Sequence, residues 1–345
     1  MNITSSQKVL VIRNDKLGDF MLAYPAISLL KKSAPDIHIS VLVPEYTREM
    51  AEICPAIDEV LIDPGKSAGL SQQFKLLQAI RSKRFDAAIT LFSTSRIGWL
   101  LFLARISYRL APATKIAQLF YNHRLLQKRS RSEKPEFEYN VDLVRHFLKE
   151  CRQPVVESEA HPFLHFHDDT VQQLETSFRD THKIPEKHKL VFIHPGSGGS
   201  ANNLTLEQYA QIANNLKIDT GYTVVITAGP DEQDIAEKLT DMLTETASVI
   251  YQSKKGLTSF AQHIQFADLF ISGSTGPLHI AGALDVPTAA FYPRRRSATP
   301  LRWQTLNSEN KRLAFTPSEE AAETDVSAID VESAIKQIND TYFTR

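Results

Sequence analysis

The chain has 345 residues, 42% of them hydrophobic, which is enough for a sizeable core and longer than one core usually organises, so two domains are expected. Lys plus Arg number 39 against 40 for Asp plus Glu, and the formal charge of -1 gives no whole-chain case for nucleic acid. The two cysteines, Cys54 and Cys151, exclude a disulfide framework and show no Cys-x-x-Cys metal or redox spacing, as fits a reducing compartment.

The N-terminus runs almost directly into an apolar stretch at 9–12, without the basic start and cleavage site of a signal peptide, so a cytoplasmic location is expected. Strands are predicted at 9–12, 39–43, 60–62 and 87–91, short Val- and Ile-rich runs of the kind that parallel sheets bury. A helix carrying Leu22, Ala26, Leu29 and Leu30 on one face, with Pro25 near its first turn, joins the first two strands into a βαβ unit. The apolar stretch at 97–103 precedes Arg105 and falls far short of the roughly 20 residues that span a bilayer.

From 106 to 150 the strand signal fades, and a helical, basic segment is expected, bearing Lys115, Arg124, Lys128, Arg129, Arg131 and Lys134. A linker is placed between about 155 and 188, where periodicity is weak and Pro154, Pro162 and Pro185 interrupt the chain. The parallel pattern then restarts, with strands at 190–193, 223–226, 249–251, 269–271 and 288–291 and helices near 205–217, 231–243, 258–265 and 276–284. Thr205 and Gln208 form a capping box for the first of these helices. The expected organisation is an N-terminal Rossmann-like domain over 1–160 and a second over 186–325, their parallel sheets facing across a cleft. A last helical stretch within 326–345 is expected to pack back across the interface.

Chemistry concentrates in the loops that follow strands, because open parallel sheets bind ligands outside the carboxyl ends of their strands. The first such loop is Arg13-Asn14-Asp15-Lys16-Leu17-Gly18-Asp19. Arg13, Lys16 and Gly18 would line a binding crevice, and Asp19 is either an N-cap or a general base. His194-Pro195-Gly196-Ser197-Gly198-Gly199-Ser200-Ala201 follows the first strand of the second half and contains Gly-x-Gly-x-x-Ala, but the capping box starts its helix too late for a dinucleotide fingerprint. It reads as a turn or as a small-residue loop approaching a nucleotide sugar.

Gly229-Pro230-Asp231-Glu232 enters the next helix, where Glu232 is either a helix-start acid or a partner for a ribose diol. Ser274-Thr275-Gly276-Pro277-Leu278-His279 runs from a strand into a helix whose free N–H groups suit a diphosphate, and His279 is either a packing histidine or a donor contact. His161, His165 and His167 cluster without an evident third ligand, so no metal site is assigned. Arg294-Arg295-Arg296, after the strand at 288–291, offers Arg294 as a cation for a leaving diphosphate.

In this order the motifs resemble glycosyltransferase family 9, the ADP-heptose:lipopolysaccharide heptosyltransferases, over most of the chain from Val9 to about Trp303. The likeness is carried by Gly18-Asp19 with Pro25-Ala26, by His194-Pro195-Gly196, by Gly229-Pro230-Asp231-Glu232, and by Thr275-Gly276-Pro277-Leu278-His279 with Ala281 and Ala283-Leu284. It implies a GT-B fold of α/β class, acceptor binding in the first half and nucleotide-sugar binding in the second. It also implies an inverting displacement with Asp19 as base, Thr275, Gly276 and His279 on the diphosphate, and Glu232 on the nucleoside. Gly196, Ser197, Gly198, Gly229, Ser274 and Pro277 would complete the donor site. No cofactor or metal is implied, since the nucleotide sugar, ADP-heptose first, is a substrate and no Asp-x-Asp pair is present.

The acceptor implied is lipopolysaccharide core or a related lipid-linked glycan. With the basic run at 124–134 and the apolar 99–103, it suggests peripheral contact with the inner face of the membrane. Two departures fall on the donor side: the family usually has Asp where this chain has Ser274, and basic residues where it has Asn202 and Asn203. A nucleotide-dependent oxidoreductase and a catalytically silent binding relative are the alternatives.

Overall fold

The computed structural model describes residues 7–114, 116–157, 161–198 and 202–343. Lys115 of the basic segment and Gly199, Ser200 and Ala201 of the glycine-rich loop lie outside the described residues. The chain divides into two compact units, Met1–Ala160 and His161–Arg345.

The first unit carries β1 (Lys8–Ile12), α1 (Leu17–Met21), α2 (Tyr24–Ser33), β2 (His38–Pro44), α3 (Arg48–Glu52), β3 (Glu59–Asp63), α4 (Leu70–Lys83), β4 (Ala87–Thr90), α5 (Ser95–Leu103), β5 (Tyr108–Pro112), β6 (His123–Leu125) and α6 (Glu136–Glu150). Its sheet is parallel in the order β3-β2-β1-β4-β5-β6. Val9, Leu10, Val11 and Ile12 are all buried, as a central strand covered on both faces requires. The predicted first helix is two: Leu22 closes α1, Ala23 stands at the N-cap of α2, and Pro25 sits in its first turn, where its missing N–H costs nothing.

The second unit carries α7 (Asp168–His182), β7 (Lys189–His194), α8 (Leu206–Asn214), β8 (Tyr222–Thr227), α9 (Gln233–Asp241), β9 (Ser248–Tyr251), α10 (Gly256–Gln265), β10 (Leu269–Gly273), α11 (Gly276–Ala283), β11 (Thr288–Phe291), β12 (Arg312–Phe315) and α12 (Val331–Tyr342). Its parallel sheet has the order β12-β11-β10-β7-β8-β9. Counted from its own first strand, each sheet therefore runs 3-2-1-4-5-6, the doubly wound order. The strand order reverses between β1 and β4 in one unit and between β7 and β10 in the other, and such reversals open a crevice at the carboxyl edge.

Two expectations need correction, and one strand was not foreseen. The segment 106–150 holds β5 and β6, and only α6 is a regular α-helix there. The outer strand β6 is three residues long and carries Arg124, the short charged form that an edge strand takes to avoid further pairing, so it leaves no apolar run. The expected linker contains α7, which buries only Val171 and Phe178 and is otherwise polar, hence its weak periodicity. Phe178 packs on Tyr251 and Phe266, tying α7 to the second unit. The edge strand β12, alternating Arg, Leu, Ala and Phe, was also missed. At the C-terminus, α12 buries Ala334, Ile335 and Ile338 in the second unit's own core, and Asn339 bonds the backbone at Asn215 and Lys217.

Candidate active site

At the first reversal the β1 loop turns straight into α1, and Asp19 lies inside that helix, three residues past its N-cap Lys16. The N-cap reading is thereby excluded. The Asp19 carboxylate instead accepts from Arg13 Nη2. Arg13 is among the most deeply buried side chains of the unit, and its remaining donors reach Asp15 (Nε, 2.8 Å), Glu136 (Nη1, 2.8 Å) and Asn140 (Nη1, 3.2 Å). Arg129 Nη1 also donates to Glu136, at 2.7 Å.

Burial would by itself make Arg13 easier to deprotonate, but Asp15, Asp19 and Glu136 outweigh it and hold the guanidinium charged. For Asp19 burial is the largest influence and favours the neutral acid. Arg13 opposes it, Asp15 and Glu136 reinforce it, and the carboxyl is pushed up to about 7. A buried carboxylate that titrates near neutrality is suited to take a proton from a hydroxyl. Lys16 is exposed at the rim, and Gly18 lies within α1. Phe92, just beyond β4, is exposed with its ring centroid 5.9 Å from Arg13 Cζ, so an aromatic face borders the carboxylate cluster.

At the second reversal the loops after β7, β8 and β10 are tied together. Glu232 accepts from the N–H groups of Gly198 and Gly229, both at 2.9 Å, and so joins the β7 loop to the β8 loop. His194 is held neutral by burial against the opposing pull of Glu232, and its Nδ1 pairs with Thr227 Oγ1 at 3.0 Å. Asn203 donates to the carbonyls of Pro195 (2.7 Å) and Gly196 (3.0 Å). Tyr209 donates to Asn203 and accepts from Gly273 N–H (3.1 Å), carrying the tie to the end of β10. Asn202 donates to Thr324 O at 2.7 Å. The two asparagines that replace the family's usual basic residues thus fasten loops.

Thr275 stands at the N-cap of α11 but makes no capping bond, because its hydroxyl pairs with Ser272 at 3.0 Å. The Gly276 and Leu278 N–H groups of this first turn are consequently uncapped by side chains, and Pro277 between them has no N–H. Ser274 is half-buried beside them, and Ser197 lies on the β7 loop between Gly196 and Gly198. His279 is buried with Nδ1 unpartnered and is pushed down to about 4 by burial. It is uncharged at neutral pH and offers a hydrogen bond rather than a positive charge. Arg294 is not brought to this turn by any contact: its Nη2 donates to the carbonyls of Glu319 and Ala321, both at 3.0 Å.

The late start of α8 at Leu206, with the Thr205–Gln208 capping box in place, removes the helix that a dinucleotide fingerprint needs behind Gly198. Among the described residues no group of three or more His, Cys, Asp or Glu is placed to hold a metal ion. His165 and His167 lie outside any strand and point to Asp168 and Asp169.

One doubly wound sheet thus presents a buried, Arg13-bound carboxylate and the other an uncapped helix start, and the sequence model of glycosyltransferase family 9 (heptosyltransferase) matches residues 73–329. The chain belongs to glycosyltransferase family 9. Its role is glycosyl transfer, and its fold is GT-B. A Haemophilus influenzae protein provisionally named a glycosyltransferase is 45% identical over 335 residues, covering 96% of each chain. The family 9 glycosyl transferase of Veillonella parvula superposes with a TM-score of 0.82 at 19% identity, over 99% of this chain and 98% of that one. The ADP-heptose lipopolysaccharide heptosyltransferase II of E. coli does so with a TM-score of 0.75 at 18% identity, over 97% and 98%.

Sequence reasoning found Asp19 and Arg13 but not Asp15, Glu136, Asn140 or Arg129 as its partners, nor the Asn203–Tyr209 tie. A signal existed for one pair. Glu136 and Asn140 are polar residues four apart on the same helical face as Tyr139, Leu143 and Phe147, a spacing that sets both into the interior.

Proposed function

We propose that this glycosyltransferase moves a heptose or a related sugar from a nucleotide-sugar donor, ADP-heptose being the first candidate, to lipopolysaccharide core or a related lipid-linked glycan. The donor and acceptor named for the E. coli heptosyltransferase motivate that choice. Asp19 takes the proton of the acceptor hydroxyl, the oxygen attacks C1 of the sugar, and the nucleoside diphosphate leaves from the opposite face, so the anomeric centre inverts. The observation that carries this reading is the buried Asp19 carboxyl, bound by Arg13 at the reversal point of the first sheet.

On the donor side the uncapped N–H groups of α11 receive the diphosphate, with His279 as a neutral hydrogen-bonding partner and Glu232 for the nucleoside. A carboxylate has about four acceptor sites, so the two backbone bonds of Glu232 leave capacity for a ribose hydroxyl. Phe92 gives an acceptor ring an apolar face to lie on. The reaction as written needs no divalent ion.

The test is transfer from a panel of nucleotide sugars to lipopolysaccharide acceptors of graded core length, with the product anomer read by NMR and with EDTA as one arm. Turnover is expected from an ADP-linked heptose, with inversion, in EDTA, rising as pH passes about 7. Asp19→Asn should cost about two to four orders of magnitude in turnover. Full activity of Asp19→Asn, or a retained anomer, would refute the mechanism.

A further inference from the structure

The ion pair that defines the first crevice is shared more widely than a base and its partner require. Arg13 divides its donors among three carboxylates: Nε to Asp15 (2.8 Å), Nη1 to Glu136 (2.8 Å) and Nη2 to Asp19. Glu136 is 1% exposed and Asn140 fully buried, and the two stand one turn apart on α6. Asn140 accepts from Arg13 Nη1 and donates its own Nδ2 to the carbonyl of Leu22, the residue that closes α1, at 3.0 Å. One face of α6 therefore grips both the far edge of the arginine and the end of the helix that bears Asp19.

We propose that Glu136, supported by Asn140, is a positioning residue that keeps Asp19 a proton acceptor by holding the Arg13 guanidinium partly away from it. The chemistry is that of a divided cation. A guanidinium given wholly to one carboxylate makes a two-pronged ion pair, which stabilises the anion and leaves it a poor base at neutral pH. Here the Nη1 edge is turned to α6, and Asp19 receives only the Nη2 side. Glu136 also sets its own negative charge close by, a second influence favouring the neutral acid at Asp19.

The other charged and titratable groups around Asp19 fit the same picture. Arg13 and Asp15 come from the β1 loop, and Arg129 from the segment before α6 donates at 2.7 Å to the same Glu136 Oε1 that Arg13 uses. Tyr46, in the turn after β2, donates its phenol to the carbonyl of Asp15. Arg129 shares that oxygen and offsets its charge, so Glu136 and Arg129 must act on Asp19 with opposite sign.

This inference builds on Asp19 as the base, but its test reads a proton and not turnover. The protein is labelled with aspartate carrying 13C at the carboxyl carbon, the Asp19 signal is assigned by its loss in Asp19→Asn, and its shift is followed from pH 4 to 9. The wild-type midpoint is expected near 7. Glu136→Gln should lower it by more than about one unit, and Arg129→Gln should raise it. A merely structural α6 would not move the two in opposite directions. An unchanged midpoint in folded Glu136→Gln would overturn the proposal. Should that variant fail to fold, an unchanged or lowered midpoint in Arg129→Gln would overturn it instead. If Asp19→Asn keeps full turnover, the base assignment falls while the titration result stands, so the two failures are distinguishable.

Discussion

Gly196 leaves the space that the Glu232 carboxylate occupies: a Cβ at position 196 would stand 2.2 Å from both carboxylate oxygens. From that position Glu232 reaches the N–H groups of Gly198 and Gly229. The far end of Glu232 can swing aside, so Gly196→Ala should fold. It should lose both backbone bonds, each worth about 1.5–3 kcal/mol as a bond to a charged group. The expected result is a lowered Tm together with weaker ADP binding by calorimetry. A lowered Tm with unchanged ADP affinity would confine Glu232 to holding loops and remove it from the nucleoside.

Asp19 should make the protein less stable as pH rises, the reverse of an ordinary ion-paired carboxylate. Its folded-state value near 7 lies above the unfolded 3.8, so the folded chain holds the extra proton between those values. The contribution is full below about pH 4 and is lost as pH climbs through 7. Asp19→Asn mimics the protonated form and escapes this loss. Its Tm should therefore exceed the wild-type value at pH 8, with the gap closing toward pH 5. A gap that is absent at pH 8 would show that Asp19 is ionised at no cost to folding.

The doubly wound order was legible because central strands such as β1, β2, β7 and β10 are short, mostly apolar and followed by loops rich in small or charged residues. The strands that escaped did so for a physical reason: β5, β6 and β12 each carry an arginine, and β6 and β12 are half solvated, so they lack the apolar run that marks a buried strand. Asp19 was legible from its place after the first strand. The partners that surround its ion pair were not, because Glu136 and Asn140 lie more than a hundred residues away and meet Arg13 only when α6 packs on α2. Arg294 shows that a cation next to a strand end in sequence can also bond its own chain's carbonyls.

Of the two features that suggested membrane contact, the basic run at 124–134 and the apolar 99–103, the second is the stronger in the folded chain. Arg129, Arg131 and Lys134 are paired with Glu136, Glu133 and Asp142, so much of that run is neutralised. The 3-10 turn Ile116–Phe120 packs on α5 through Trp99 and Phe120, and the two elements leave Trp99, Phe102, Ile116 and Leu119 exposed, the last at 73%. Among the described residues no helix is long and apolar enough to cross a membrane. An interfacial Trp with aliphatic neighbours suits the headgroup boundary, where each buried large side chain is worth about 1.5–3 kcal/mol. In a Trp303→Phe background, Trp99 fluorescence should shift to the blue on vesicles containing anionic lipid, and Phe102→Ala with Leu119→Ala should weaken binding at least about tenfold. Vesicles that leave the emission unchanged would refute membrane contact by this face.

Arg294 provides the sharpest contrast between a sequence expectation and the folded chain. Its Nη2 is engaged by the carbonyls of Glu319 and Ala321, its backbone N–H bonds Glu323 O at 2.8 Å, and its Nε is buried without a partner, away from any solvent-borne ligand. These contacts account for Nη2 and Nε, while no bond is seen for Nη1 of this half-buried side chain. The guanidinium holds the segment 319–323, which has no regular secondary structure of its own. Arg294→Ala should therefore speed proteolytic cleavage between 316 and 325 while leaving ADP affinity within about threefold of wild type, which is under 1 kcal/mol. Arg295 and Arg296, both exposed, supply the matched control: replacing them together should leave the cleavage pattern unchanged. If Arg294→Ala lost ADP binding by tenfold or more, about 1.4 kcal/mol, with the segment still resistant, the arginine would have to leave its carbonyls when nucleotide arrives. The diphosphate would then rest on a cation as well as on the backbone N–H groups of α11.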